Sequence, residues 1–235
     1  MHQSPQKVTW LDLCAFPIYF LIQIFLPLIL VGVLLITHQS LSEGILIMFV
    51  SVITSIAVIL FLILTHRRGF MIHYRHAFSD IRRHIKLILL TYIGYFVTNA
   101  AFMALMTQLP AKWQFEETGN QDALMIFFED PKWLPLMFIG IVLLTPATEE
   151  LLFRHVLIGE LGKKFGIVFM SIISVVVFAL LHMQVAQSPL EIVPYLLMGA
   201  MFVIVYVKSG CNIAVSIAMH VFNNFIAFIA ILFQM

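Results

Sequence analysis

Seven stretches of mainly apolar residues, most of them close to the length of a membrane span, divide this chain. A helix needs about 20 such residues to cross a hydrocarbon core of about 30 Å, and its internal hydrogen bonds leave no bare peptide group facing lipid. The sequence therefore predicts an all-α, polytopic transmembrane helix bundle of about seven spans. The predicted spans are residues 16–37, 44–65, 87–109, 133–158, 167–183, 192–207 and 213–233.

The composition agrees with a membrane protein. Hydrophobic residues make up 62% of the chain and charged residues 11%, with a mean hydropathy of +1.03, whereas soluble domains are roughly half apolar and a quarter charged. The formal net charge is only +1, and the basic residues lie beside apolar spans without forming a broad basic face, so no nucleic-acid partner is predicted. Because no long polar break interrupts the pattern, residues 1–235 are predicted to form a single membrane domain.

Basic residues set the predicted orientation. Residues 66–86, between the second and third predicted spans, contain six lysines and arginines, and Lys163 and Lys164 lie between the fourth and fifth. Cytoplasmic loops carry an excess of Lys and Arg, which places these loops, and by alternation the N-terminus, inside. Residues 66–86 form either an interfacial helix on the inner leaflet or a solvated loop.

Few ionisable side chains fall within the predicted spans. A charged side chain at the bilayer centre costs about 2.5 to 3.5 kcal/mol on insertion scales, so such residues are expected to face the bundle interior and to be functional. They occur on the fourth, fifth and seventh spans, together with one asparagine, and are Glu149, Glu150, Arg154, His182, His220 and Asn224.

Helical spacing separates the roles of the two glutamates. Glu150 and Arg154 are four residues apart, on one helix face and close enough to pair, whereas Glu149 is rotated by about 100° and is left as the unpaired carboxylate. In a low-dielectric site near a histidine such as His182, an unpaired carboxylate is suited to act as a general base. The spacing therefore favours Glu149 as the base.

The seventh span carries a second pair. His220 and Asn224 are four residues apart, so an imidazole N–H and an amide N–H₂ project from the same helix face. Two donors directed at one point are what an oxyanion requires. The alternative is that both residues, like Glu149 with His182, only hold helices together through hydrogen bonds.

Three motifs occur in order on successive apolar helices: Glu149-Glu150-x-x-x-Arg154, Phe178-x-x-x-His182 and His220-x-x-x-Asn224. Together they resemble the signature of the CAAX protease and bacteriocin-processing family of intramembrane proteases. The resemblance covers about residues 134–228 and implies a catalytic core there.

The resemblance also implies roles for these residues. In that family the first glutamate and the histidine of the second motif are thought to activate a water, and the last histidine and asparagine to form an oxyanion hole. These are Glu149, His182, His220 and Asn224 here. Structural or orienting roles are expected for the remaining motif residues, which are Glu150, Arg154 and Phe178.

The function expected from this resemblance is intramembrane endopeptidase activity on a hydrophobic or membrane-associated peptide. Many bacterial members are linked to bacteriocin self-immunity or peptide maturation and have a similarly compact length, so a bacterial cytoplasmic membrane is expected and a CaaX substrate is not implied. The alternative is a non-enzymatic immunity or regulatory protein that binds a peptide or partner helix through the same residues. A proton-coupled transporter is a third hypothesis, and the sequence shows no internal repeat in its favour.

No cofactor is expected, although one glutamate and two histidines are also zinc ligands, so zinc stays an alternative. Besides a peptide substrate, the expected partners are membrane lipids. Five further histidines lie near the inner interface and are expected to face solvent or lipid headgroups instead of binding a ligand: His66, His73, His76, His84 and His155.

Overall fold

A computed structural model describes residues 7–66, 76–128 and 130–234. These residues form helices joined by connecting segments, with no β-strand among them, so the all-α prediction is confirmed. The main helices are α1 (Ala15–Thr37), α2 (Glu43–Thr65), α3 (Ala77–Arg83), α4 (Ile85–Met106), α5 (Gly119–Met125), α6 (Pro131–Phe165), α7 (Ile167–Leu181), α8 (Ile192–Lys208) and α9 (Ile213–Gln234).

Six of these helices are long and apolar enough to cross a membrane, namely α1, α2, α4, α6, α8 and α9, which makes this a multi-pass membrane protein. The fifth of the seven predicted spans, residues 167–183, corresponds to the shorter helix α7. Helix α7 has 15 residues, which at 1.5 Å per residue is about 22 Å, shorter than the about 30 Å of a hydrocarbon core. The centre of the predicted interfacial segment, residues 67–75 with His73, lies outside the described residues.

The helices differ in how deeply they lie in the bundle. In α6 and α8, half of the most apolar 18 residues are buried. In α1 none of the corresponding residues is buried, and in α4 only 6% are. Helix α7 packs on α6 and α8, and α9 packs on the same two helices. The exposed leucine, isoleucine and phenylalanine side chains of α1 and α4 suit contact with acyl chains. The C-terminal helices and α2 supply most of the buried core.

Helix α6 contains π-helical stretches, Phe138–Leu144 and Leu151–Leu161, on either side of one α-helical turn. A π-helical carbonyl is bonded by the N–H five residues later, and for Ile141 that residue is Pro146, which has no N–H. Asn224 Nδ2 on α9 donates to the Ile141 carbonyl at 2.9 Å. A side chain of α9 thus supplies the hydrogen bond that α6 cannot make itself.

A buried carboxylate joins two connecting segments. Glu191, 1% exposed, accepts the backbone N–H of Gly119 at 2.7 Å and those of Gln187 and Ser188, each at 2.8 Å. It also completes a capping box with the Ser188 side chain, just before α8. These contacts fix the start of α5 against the segment that follows α7.

We expect Glu191→Ala to lower the free energy of unfolding by about 2 to 3 kcal/mol, because three backbone N–H groups lose their acceptor. Thermal and denaturant unfolding of the detergent-solubilised protein measures the loss. The control is Glu43→Ala at an exposed carboxylate, which should stay within about 0.5 kcal/mol of wild type. Equal losses in the two variants would contradict a structural role for Glu191.

Candidate active site

A cavity of about 540 Å³ lies among α2, α4, α6, α8 and α9 and the segment after α7. Its lining includes all four residues predicted to be catalytic: Glu149, His182, His220 and Asn224. Side chains from three separate motifs therefore border one cavity. Their catalytic roles stay predictions.

Glu149 faces this cavity with 15% of its side chain exposed, and its Oε2 lies 3.7 Å from Nε2 of His220. That separation is beyond a hydrogen bond. Among the described residues, no hydrogen bond joins Glu149 to His182, the histidine with which the sequence paired it. The two side chains instead border the same space, so a third group, such as a water, is needed to connect them.

Glu150 points away from the cavity and is fully buried. It accepts hydrogen bonds from Ser216 Oγ and from His220 Nδ1, the latter at 2.9 Å. Because a carboxylate oxygen accepts, His220 must carry a proton on Nδ1. Glu150 thereby fixes the ring of His220 with Nε2 toward Glu149.

Arg154 is the counter-charge of Glu150, as the spacing predicted. Its Nη1 lies 3.0 Å from Glu150 Oε1, although its N–H bonds do not point at that oxygen. The guanidinium carbon lies 5.0 and 5.2 Å from the ring centres of Phe178 and Phe202. The aromatic faces add attraction for a cation that water cannot reach, and Nη2 donates to the Gly199 carbonyl at 3.4 Å. The charge is thus held by one carboxylate, one carbonyl and the surrounding rings.

His182 is oriented by the main chain of its own helix. Its Nδ1 lies 2.8 Å from the carbonyl oxygen of Phe178, and a carbonyl can only accept, so Nδ1 carries the proton. The ring stacks on Tyr195, with 4.9 Å between ring centres. In the neutral ring Nε2 is then free to accept a proton from a group in the cavity.

Asn224 uses one of its two amide N–H bonds for the Ile141 carbonyl. Its Oδ1 accepts a hydrogen bond from Asn223 Nδ2 at 3.2 Å, which fixes the orientation of the amide. The second N–H is the donor that remains for a substrate oxygen. The arrangement therefore holds one carboxylate, the imidazole acceptor of His182, the amide donor of Asn224 and Nε2 of His220 around a single cavity.

Sequence reasoning missed two residues of this site. Ser216 precedes His220 by four residues, so its position on the same face of α9 was visible in the spacing. Tyr195 belongs to a different helix from His182, and no spacing along the chain predicts their contact. His66 and His155, which were expected to face solvent or lipid headgroups, are partly exposed, and both also contact the buried carboxylate of Asp12.

Comparison with known families identifies one domain. Residues 131–226 match the family model described as Rce1-like, Type II CAAX prenyl endopeptidase Rce1-like. The chain therefore carries a domain of a peptidase family, which implies a peptide or protein substrate. The matched segment includes the four predicted catalytic residues, whereas α1, α2 and α4 lie outside it. Comparisons with curated proteins and with solved structures found no match.

Proposed function

We propose that this protein is an intramembrane endopeptidase that hydrolyses a peptide bond of a hydrophobic or membrane-associated peptide. The observation that carries the proposal is the shared cavity of Glu149, His182, His220 and Asn224, within a segment that matches a peptidase family. Because apolar helices surround the cavity, a substrate that enters it must itself tolerate an apolar environment.

In the proposed reaction, a water in the cavity attacks the carbonyl carbon of the scissile bond. Glu149 accepts the proton of this water and later passes it to the nitrogen of the leaving amine, and His182 Nε2 holds the water in position. This assignment agrees with the geometry, since both side chains line the cavity without contacting each other directly. The carboxylate of Glu150, in contrast, is occupied by Arg154, Ser216 and His220.

The oxyanion formed by this attack needs donors. Asn224 offers its second amide N–H, and His220 offers Nε2–H when its ring is doubly protonated between the carboxylates of Glu149 and Glu150. Donors held in advance of the reaction stabilise the developing charge without further reorganisation. The contact to Glu150 and the hydrogen bond to Ile141 provide this preorganisation.

We propose that the reaction needs no metal. Within the described residues, the ligand atoms of Glu149, His182 and His220 do not all lie within 4.8 Å of one another. Those of a second cluster in the chain do. Zinc at this site stays the alternative. The test uses a variant that lacks a second candidate metal cluster, formed by Asp12, His66 and His155. If a chelator abolishes cleavage by this variant and zinc restores it, a zinc-dependent reaction is favoured.

The resemblance to bacterial members and the basic loops extend the proposal. We place the protein in a bacterial cytoplasmic membrane, in contact with its lipids and with the N-terminus inside. The expected substrates are hydrophobic peptides or segments of membrane proteins.

We expect Asn224→Ala to lower kcat by about 10²- to 10³-fold with little change in KM, because an oxyanion donor acts in the transition state. Asn223→Ala, at the neighbouring position of the same cavity, should lose less than Asn224→Ala. Steady-state kinetics on a peptide substrate separate kcat from KM, and thermal unfolding monitors the bond to Ile141. An Asn224→Ala enzyme with wild-type kcat would contradict this role.

A further inference from the structure

A second cluster of ligand-type side chains lies outside the cavity just described. Oδ2 of Asp12 is 2.8 Å from Nε2 of His66 and 3.0 Å from Nε2 of His155. The three residues come from the turn before α1, the end of α2 and the second π-helical stretch of α6. Two of them, Asp12 and His66, lie outside the segment that matches the peptidase family.

The carboxylate of Asp12 is fully buried, yet its partners are unusual for a buried anion. Of the basic side chains in the part of the chain that the structure describes, only His66 and His155 lie within ion-pair distance of it. A buried carboxylate needs hydrogen-bond donors, a cation or a metal to offset its lost hydration. Neutral imidazoles supply hydrogen bonds but no positive charge, so the site lacks a permanent counter-charge among these partners.

A cavity of about 500 Å³ adjoins the cluster and is lined by both histidines. Among the described residues of its lining, Asp80 and Glu160 supply two carboxylates and Lys163 supplies one ammonium, which pairs with Glu160 at 2.6 Å. The excess of negative charge attracts a cation. The cavity also gives water access to the two imidazoles, while Asp12 lies behind them.

We propose that Asp12, His66 and His155 bind a divalent transition-metal cation, with zinc as the probe. Histidine nitrogen and carboxylate oxygen are the ligands that this class of cation takes up, and three protein ligands plus a water complete a tetrahedral site. Such an ion would supply a positive charge beside the buried carboxylate. It would also connect the N-terminal helices to α6 about 9 Å along the helix from Glu149.

The geometry fits with small adjustments. Bonds of about 2.0 to 2.2 Å in a tetrahedron separate neighbouring ligand atoms by about 3.4 Å. Two separations in the cluster are 2.8 and 3.0 Å, and all of its ligand atoms lie within 4.8 Å of one another. Without the ion, each Nε2–H donates to Asp12. With it, both imidazoles coordinate through Nε2 and carry their proton on Nδ1, so the change is one of tautomer.

The test measures metal content and needs no substrate. The full-length chain is purified in detergent without a histidine tag, stripped with a chelator, incubated with zinc, desalted and analysed by mass spectrometry for metal per chain. We expect one zinc ion per wild-type chain. His66→Gln and His155→Gln keep a donor for Asp12 but lose the imidazole ligand. Each should weaken zinc binding by at least about 100-fold, because loss of a residue that only supports a ligand already costs up to about 100-fold.

Two controls separate this site from other binding. His38→Gln removes an exposed histidine outside the cluster, and Glu149→Gln changes the catalytic cavity, and both should retain one zinc ion. Cobalt in place of zinc gives a reading that does not depend on any variant folding, because a four-coordinate nitrogen and oxygen site produces visible absorption bands. We expect these bands in the wild type.

Three outcomes would overturn the proposal. The first is a wild-type chain that binds no stoichiometric zinc and shows no cobalt bands. The second is full zinc retention by both cluster variants. The third is zinc that is lost in Glu149→Gln but kept in His66→Gln and His155→Gln, which would move the ion to the catalytic cavity. Metal content does not depend on peptidase activity, so the metal-site proposal can fail or succeed independently of the proposed function.

Discussion

Replacing Glu149 by glutamine is expected to lower kcat/KM for peptide cleavage by about 10²- to 10⁴-fold, the usual contribution of a general base. The amide keeps the shape of the side chain but cannot take a proton from water. Glu149 makes no hydrogen bond or close ion pair in the described structure, and Oε2 of Glu149 lies 3.7 Å from Nε2 of His220. The substitution should therefore leave folding intact. Loss of activity with unchanged thermal unfolding is therefore the signature of a catalytic role.

The measurement compares peptides from membranes that contain wild-type or Glu149→Gln protein by mass spectrometry, followed by kinetics on a cleaved peptide. Glu43→Gln is the matched control, since it removes an exposed carboxylate at the start of α2 and should cleave at the wild-type rate. A Glu149→Gln enzyme with wild-type activity would exclude the proposed mechanism. A cellular phenotype that survives both Glu149→Gln and His220→Ala, in protein that accumulates normally, would favour the non-enzymatic immunity or regulatory role.

Most of the helical framework could be predicted because its signal is local. A run of apolar residues fixes the length of a span, and the observed helix α2, Glu43–Thr65, differs from the prediction by one residue. The shorter extent of α7 has a local cause as well. Apolar residues continue to Met183, but the helix ends at Leu181, where Nδ1 of His182 bonds back to the carbonyl of Phe178.

The site could be predicted only as far as helix faces. Four-residue spacing correctly placed Glu150 beside Arg154, because both residues belong to one helix. It could not show which faces of different helices meet. The contact of His155 with Asp12 joins residues 143 positions apart, and that of Ser216 with Glu150 spans 66. Such contacts depend on packing of the whole bundle, which no single stretch of sequence encodes.

The stability of the bundle is expected to depend most on the buried pair of Glu150 and Arg154. Both side chains are fully buried, and removal of one member of such a pair costs about 3 to 5 kcal/mol because the other charge stays in an apolar environment. We therefore expect Glu150→Ala and Arg154→Met each to lower the free energy of unfolding by about this amount. Denaturant unfolding in detergent measures the change.

An exposed pair provides the comparison. Lys132 and Asp130 lie 2.9 Å apart with 70% and 38% of their side chains exposed, and Lys132→Met should cost at most about 1 kcal/mol because water replaces the lost partner. Equal losses in Lys132→Met and Arg154→Met would contradict the argument from burial.

The double variant Glu150→Ala with Arg154→Met separates stability from function. It leaves no unpaired charge at this position, so part of the stability lost in either single variant should return. Activity should not return with it, because Nδ1 of His220 has lost its acceptor and the ring no longer holds Nε2 at the cavity. A double variant that regained both would show that Glu150 stabilises the bundle without orienting His220. Recovery of stability alone would instead assign Glu150 both roles, since the same carboxylate neutralises Arg154 and fixes the ring.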